Sequence, residues 1–339
     1  MSATSDFGIE DIRAAQRRIA GIADQTPLIP SPYMSAVTGH DVLMKMEIMQ
    51  PIGAFKLRGA LSAVMALPDD VGGVTCCSTG NHGRGVAYAA RERGIRAVIC
   101  MSQLVPQAKI DGIRALGAEV RIVGRSQDAA MAESRRLCKA EGLVEISPFD
   151  DPRVIAGQGT IGLEMLAQCP DLRTILVPLS GGGLAAGVAV AARAVRPDIR
   201  IVGVSMDRGA AMYQSIRAGH PVEVQEYPSL ADSLGGGIGL DNRLSFPLCR
   251  DLLDDTLLVS EEEIRDAMQV MFFEDRIVAE GACVVGQAAL LAGKVAALDG
   301  PVATIITGRN LDMRLFLDVV AGRDIRLGDL TLAGKSYGA

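Results

Sequence analysis

Lys56 stands directly after an aromatic residue in Gly53-Ala54-Phe55-Lys56-Leu57-Arg58-Gly59-Ala60, at the start of a predicted helix. Most lysines are solvated surface charges. This one sits among small and apolar neighbours, and desolvation lowers an ammonium's pKa and exposes the free amine. Such an amine attacks carbonyls. Ser180-Gly181-Gly182-Gly183-Leu184 joins a predicted strand to a predicted helix. Three glycines leave its backbone N–H groups open to an anion at a helix N-terminus. A glycine-softened turn is the plainer reading, and the segment is neither a Walker loop nor G-x-G-x-x-G. Ser78-Thr79-Gly80-Asn81-His82 has the same relation to its own strand and helix. Its amides suit a second anion such as a substrate carboxylate, and Asn81 adds a side-chain amide. His82, in a first helical turn, reads as structural in preference to a catalytic base. Thr307-Gly308-Arg309-Asn310 is a third strand-end loop.

One amine nucleophile and two anion cradles call for a carbonyl cofactor that carries a phosphate. Pyridoxal phosphate meets that demand, which predicts an enzyme of amino-acid chemistry. The elements that position these residues alternate. Strands are predicted at 74–77, 97–101, 119–123 and 144–146, about one per 23 residues, with helices at 83–93, 107–116 and 127–141 between them. Such crossover units build a parallel sheet. A second series has a helix from 154 to 168, a strand at 174–179, a helix at 184–195 and a strand at 199–204. A short helix at 209–219, a loop at 234–242, helices at 261–273 and 283–296 and a last strand at 302–306 follow. Residues 9–23 have helical spacing, ended by Thr26-Pro27, and Asp150-Asp151-Pro152 is the expected crossing point between two lobes. All three loops then fall at carboxyl ends of parallel strands, where open α/β sheets bind ligands.

The 339 residues are 49% hydrophobic, enough for a large core. A net charge of −6 disfavours a nucleic-acid or anionic-membrane partner. The chain has no run of eighteen apolar residues and no signal-peptide pattern at Met1–Phe7, so a membrane span is not expected. Seven scattered cysteines without a C-x-x-C pair suit buried thiols in a reducing cytoplasm. His40 and His220 are isolated, and no metal-ligand cluster is predicted.

Together, Lys45-Met46-Glu47, Gln50, the 53–60 block, Ser78–Gly83, Gly157-Gln158-Gly159-Thr160, Ser180–Leu184, Ala231-Asp232 and Thr307–Asn310 resemble the threonine dehydratase and serine racemase family over residues 10–325. The resemblance implies an α/β fold of the pyridoxal phosphate fold type II, tryptophan synthase β-like. Two open parallel-sheet lobes would hold the cofactor between them. Residues 1–48 and 153–339 would form the large domain and 49–152 a small mobile one. It further implies that Lys56 forms the imine and returns as base at the α-carbon, and that Phe55 packs on one ring face. Asn81 would bond the ring hydroxyl. The amides of 181–184, with the Ser180 hydroxyl, would hold the phosphate, and the amides of Ser78, Thr79, Gly80, Asn81 and His82 the substrate carboxylate. Thr307 falls against the pyridine nitrogen. A neutral hydroxyl there makes the ring a weaker electron sink, which favours prompt loss of a β-leaving group.

The implied activity is a lyase that removes a β-hydroxyl from an amino acid and yields a 2-oxo acid and ammonia. Thr79 aligns with the second-face serine of racemases, so a racemase is the alternative on the same scaffold. A β-replacement synthase is disfavoured, because that branch has Ser-x-Lys-Asp-Arg at its lysine. A non-catalytic cofactor or amino-acid binding protein is the alternative from another class. Glu280-Gly281-Ala282-Cys283 departs from the family's usual Glu-Pro-Ala/Ser-Gly. The run Asp232–Asn242 and Arg309 resemble a branch associated with hydroxyectoine breakdown, whose expected substrate is a hydroxylated diaminobutyrate. Ser205 and Ala211 align where metal-binding members carry carboxylates, so no divalent cation is expected there. The resemblance also implies a cytoplasmic homodimer.

Overall fold

The computed structural model describes residues 6–78, 80–105 and 107–338. In chain order its strands are β1 (Leu28–Pro30), β2 (Val42–Lys45), β3 (Val74–Cys77), β4 (Ala97–Met101), β5 (Glu119–Ile122), β6 (Val144–Glu145), β7 (Thr174–Pro178), β8 (Arg200–Met206), β9 (Asp255–Val259), β10 (Val302–Ile305), β11 (Ile325–Leu327) and β12 (Leu330–Leu332). The predicted crossover block forms an all-parallel sheet in the order β5-β4-β3-β6. The second series forms a six-stranded sheet, β1-β2-β10-β7-β8-β9. Its β2, β10, β7, β8 and β9 are parallel, and β1 runs antiparallel to β2. The two parallel lobes are as expected, with one antiparallel strand at the β1 edge. Residues 31–41 are too short a connection for a crossover, so the chain can only turn back.

Several boundaries differ. The first helix is Ile9–Ile19 and ends at Ala20-Gly21, ahead of Thr26-Pro27. Gly21 takes a left-handed φ of 78° that no helix continues through. The expected 283–296 helix is a 3-10 turn at Gly281–Cys283 followed by Val285–Leu291, and Gly293 closes it with φ 64°. The strand at 302–306 is not the last element. A helix at Met313–Val320 and the β11–β12 hairpin follow it.

The helix Pro152–Gln168 lies at the centre of the molecule. Asp151 caps it, accepting from the amides of Arg153 at 2.8 Å and Val154 at 3.4 Å, and Pro152 fixes its first turn. It packs against the helix Lys56–Met65 at backbone contact. A Cβ on Gly157 would stand 2.4 Å from the Arg58 carbonyl oxygen. Only glycine permits that approach, so the Gly157-Gln158-Gly159 motif fixes where the helix bearing Lys56 can lie. Among the described residues no helix is long and apolar enough to cross a membrane.

Candidate active site

Lys56 opens the helix Lys56–Met65. The turn before it is zipped onto the loop after β10. The Phe55 amide donates to Thr307 O at 2.9 Å, and the Arg309 amide donates to Gly53 O at 3.0 Å. Lys56 Nζ donates to Pro148 O at 2.6 Å and lies 5.4 Å from the centre of the half-buried Phe55 ring. Burial lowers its pKa from 10.5 to about 8. Lys45 is the instructive contrast. Its fully buried ammonium donates to Thr26 O, to Glu164 Oε2 at 2.6 Å and to Gln168 Oε1 at 3.2 Å. Burial lowers its pKa as well, against the attraction and hydrogen bond of Glu164, and the ion pair with two further acceptors occupies the amine. Lys56 has a neutral carbonyl for a partner, and its amine is available for chemistry.

The residue after Pro148 reaches the glycine loop. A Cβ on Gly181 would fall 2.2 Å from Phe149 Cδ1, and one on Gly183 would fall 2.8 Å from Phe149 O. Gly182 has φ 87°, and a Cβ there would strike Met212 Cε at 2.6 Å. The loop therefore tolerates no side chain at three successive positions. It runs into the helix Gly183–Val195, whose first amides have no partner within the helix. Leu184 is buried in the core below, and half-buried Ser180 ends the approach from β7. One dipeptide thus spans from the Lys56 amine to the cradle. The amine, the three-glycine loop and the helix N-terminus fit a phosphate-bearing aldehyde.

The other loops converge on the same end. Asn81 Nδ2 donates to Glu280 Oε1 at 3.0 Å and Oε2 at 3.2 Å, and its Oδ1 accepts from Asn310 Nδ2 at 2.7 Å. Glu280 also accepts from Ser233 Oγ at 3.1 Å and from the Asn310 amide at 2.8 Å. Burial raises the Glu280 pKa against those hydrogen bonds. Thr307 is buried, and its Oγ1 donates to Cys283 Sγ at 3.2 Å. Burial pushes the Cys283 thiol up to about 12, so it stays protonated and donates to Gly308 O at 2.9 Å.

His82 lies beside the site. Its Nε2 bonds Ile146 O at 2.8 Å, and burial, with the nearby Lys56 charge, lowers its pKa to about 3. Ser78 Oγ accepts from the Gly80 amide at 3.3 Å, and Gly80 is the N-cap of the helix Asn81–Arg93. Thr79 lies outside the described residues.

Residues 19–308 match the family described as pyridoxal-phosphate dependent enzyme. The chain belongs to that family. A Sinorhizobium fredii protein that carries the provisional name threonine dehydratase is 53% identical over 324 residues, covering 95% of this chain and 98% of its own. The L-threonine ammonia-lyase of Thermotoga maritima is 39% identical over 309 residues, 91% of this chain and 76% of that one. The structure of maize serine racemase superposes with a TM-score of 0.87 at 34% identity, covering 92% and 96%. The chain is therefore a pyridoxal-phosphate-dependent lyase of the threonine dehydratase and ammonia-lyase group, with the type II fold.

For a pyridoxal-phosphate enzyme the lowered Lys56 pKa has a kinetic consequence. Only the deprotonated amine attacks an aldehyde. The rate at which apoenzyme takes up pyridoxal phosphate is expected to rise with pH and level off above about 8, where an ordinary lysine would still be gaining. Stopped-flow reconstitution across pH checks this. Gly181→Ala forces the Phe149 ring aside and is expected to cost about 1–3 kcal/mol of stability by overpacking. It should also weaken cofactor binding, and a thermal melt and a cofactor titration measure the two effects.

Behind Lys56 the enzyme buries a charge network. Arg58 Nε and Nη2 donate to Glu47 at 2.8 Å each, Nη1 to Glu164 Oε1 at 2.6 Å and Nη2 to Glu164 Oε2 at 2.8 Å. Thr26 Oγ1 donates to Glu47 Oε1 at 2.6 Å, and Lys45 completes the group from the far side of Glu164. Two residues of one helical turn thus have different tasks. Its first residue points to the site, and Arg58 anchors it to Glu47 in the short turn that follows β2 and to Glu164 of the helix Pro152–Gln168. Ser205 is buried at the end of β8, and among the described residues no three metal-ligating side chains cluster.

Proposed function

We propose that the enzyme is an ammonia-lyase acting on a β-hydroxy amino acid, with Lys56 as its imine-forming and proton-moving residue. The observation that carries this is the half-buried Lys56 amine, held by Pro148 one residue from Phe149, whose ring and backbone lie against Gly181 and Gly183. Bound pyridoxal phosphate supplies an aldehyde that condenses with amines and a ring that accepts electron density from the α-carbon. The amides of 181–184 and the Ser180 hydroxyl hold its phosphate, Phe55 covers a ring face, and Asn81 addresses the ring hydroxyl. Thr307 offers the ring nitrogen a neutral partner. The amides of 78–82 orient the substrate carboxylate. Lys56 Nζ takes the α-proton, and its lowered pKa suits a base near neutral pH. The β-carbon–oxygen bond then breaks, and the leaving hydroxide takes up the equivalent of the proton removed from the α-carbon and departs as water. The released enamine takes that water back and yields a 2-oxo acid and ammonia.

Threonine and serine are the first substrates in this reading. A hydroxylated diaminobutyrate is the finer one, supported by the Asp232–Asn242 run and by Arg309, whose exposed side chain lies over Gly53. A racemase is the second reading, favoured by the likeness to maize serine racemase and by the alignment of Thr79. Residues 49–152 would act as a small domain that closes on substrate against 1–48 and 153–339. Buried thiols such as Cys76, Cys100, Cys249 and Cys283 support a cytoplasmic enzyme, and the family resemblance a homodimer. Ammonia release is measured with threonine, serine, 3-hydroxyaspartate and hydroxylated diaminobutyrate, alongside a chiral assay. Ammonia and 2-oxo acid in equal amounts from at least one of them is the expected result. Mirror-image amino acid without ammonia would establish the racemase instead.

A further inference from the structure

The carboxylate of Asp150 lies at the lobe crossing, next to Phe149, and binds no side chain among the described residues. Its Oδ1 accepts from the amides of Leu244 at 2.9 Å and Ser245 at 2.8 Å, and its Oδ2 from the amide of Arg243 at 2.9 Å. These amides lead into the helix Ser245–Leu252, whose N-terminal end favours a negative charge. The same helix turns two side chains onto the glycine loop. Ser245 Oγ donates to Gly181 O at 2.7 Å, and Cys249 Sγ, one turn later, donates to Gly182 O at 3.4 Å. Asn242 Nδ2 donates to Ser245 Oγ at 2.8 Å and leaves that hydroxyl's hydrogen for the loop.

Consecutive carbonyls held on one side determine where the amides point. In a trans peptide the N–H is opposed to the C=O. With Gly181 O and Gly182 O pinned toward Ser245 and Cys249, the N–H groups of Gly182 and Gly183 face the opposite side. Cys249 forms no disulfide, and burial pushes its thiol up to about 12, so it keeps its hydrogen as a donor.

We propose that Asp150, through Ser245 and Cys249, is a positioning residue that presets the phosphate cradle by holding the back of the glycine loop. The brace joins the lobe crossing to the cradle, so both ends of the 149–150 dipeptide serve one loop. Phe149 covers it from one side, and Asp150 fixes it from behind by way of the 243–245 turn. The inference rests on the reading that the amides of 181–184 take the cofactor phosphate.

The test compares apoenzyme affinities for pyridoxal phosphate and for pyridoxal, which lacks the phosphate. Asp150→Ala and Ser245→Ala are each expected to weaken pyridoxal phosphate binding about tenfold, the scale of one charge-assisted hydrogen bond. Pyridoxal affinity should stay unchanged. The double variant should lose little more than either single one, because both changes break the same chain of contacts. Equal loss for both ligands, no loss for either, or fully additive losses would each overturn the brace. If Asp150→Ala does not fold, Ser245→Ala decides alone, since it removes one hydroxyl and nothing else. The underlying reading fails separately: wild-type enzyme would then bind pyridoxal as tightly as pyridoxal phosphate.

Discussion

Lys56→Ala is expected to leave a folded protein that still binds pyridoxal phosphate but lacks its visible imine band, with turnover reduced by at least about 10³-fold. The size follows from two tasks in one atom. Nζ makes the covalent bond to the cofactor and then moves the α-proton. Removing it ends both, while the glycine loop and the helix Gly183–Val195 remain to hold the phosphate. Lys56→Arg should be as inactive, because a guanidinium of ordinary pKa is never a free amine. Absorbance spectra and kcat measured on both variants check the prediction. Wild-type turnover in Lys56→Ala would transfer the chemistry to another residue.

Arg58→Ala is expected to be the most destabilising single change in the helix that carries Lys56, at about 3–5 kcal/mol by urea denaturation. The side chains of Arg58 and Glu47 are at most 1% exposed, and that of Glu164 is 10% exposed. Loss of the guanidinium strands the Glu47 carboxylate away from water and leaves Glu164 with Lys45 as its one remaining cation among the described residues. Burial by itself would raise the Glu47 pKa, and the Arg58 charge and hydrogen bonds reverse this and hold it below the ordinary range. The sign of the pH effect follows. In the wild type, the stability contributed by Glu47 is present at neutral pH and is lost as pH falls through its depressed pKa. In Arg58→Ala, burial dominates and the carboxyl favours its proton. The deficit relative to wild type should therefore shrink on acidification. A deficit that is constant with pH would mean that packing, and not the stranded charge, sets the cost.

Much of the site was legible because its chemistry needs particular residue types in the chain. Lys56 beside Phe55, the three glycines at 181–183 and the crossover rhythm from 74 to 146 all leave patterns that a sequence displays. What stayed hidden depends on tertiary contacts. Pro148 contributes a carbonyl, and a backbone oxygen has no sequence signature. Phe149 matters through its position over glycines thirty residues away. Glu280 and Asn310 stood within recognised loops, but their bond to Asn81 joins segments some 200 residues apart. The Lys45, Glu47 and Arg58 motif read as a family marker. Its meaning as a buried ionic anchor emerges only once Glu164 arrives from another helix. β1 and β9 were missed for a simpler reason. Each is a short edge strand without a clear alternation of buried and exposed residues.

The covalent role of Lys56 can be read directly. Holoenzyme is reduced with borohydride, which fixes any imine between the cofactor and a lysine, and the digested protein is mapped by mass spectrometry. Six lysines compete for the label. The account predicts a pyridoxyl group on the peptide containing Lys56 and on no other. A label on Lys45 or a surface lysine, with Lys56 unmodified, would contradict it.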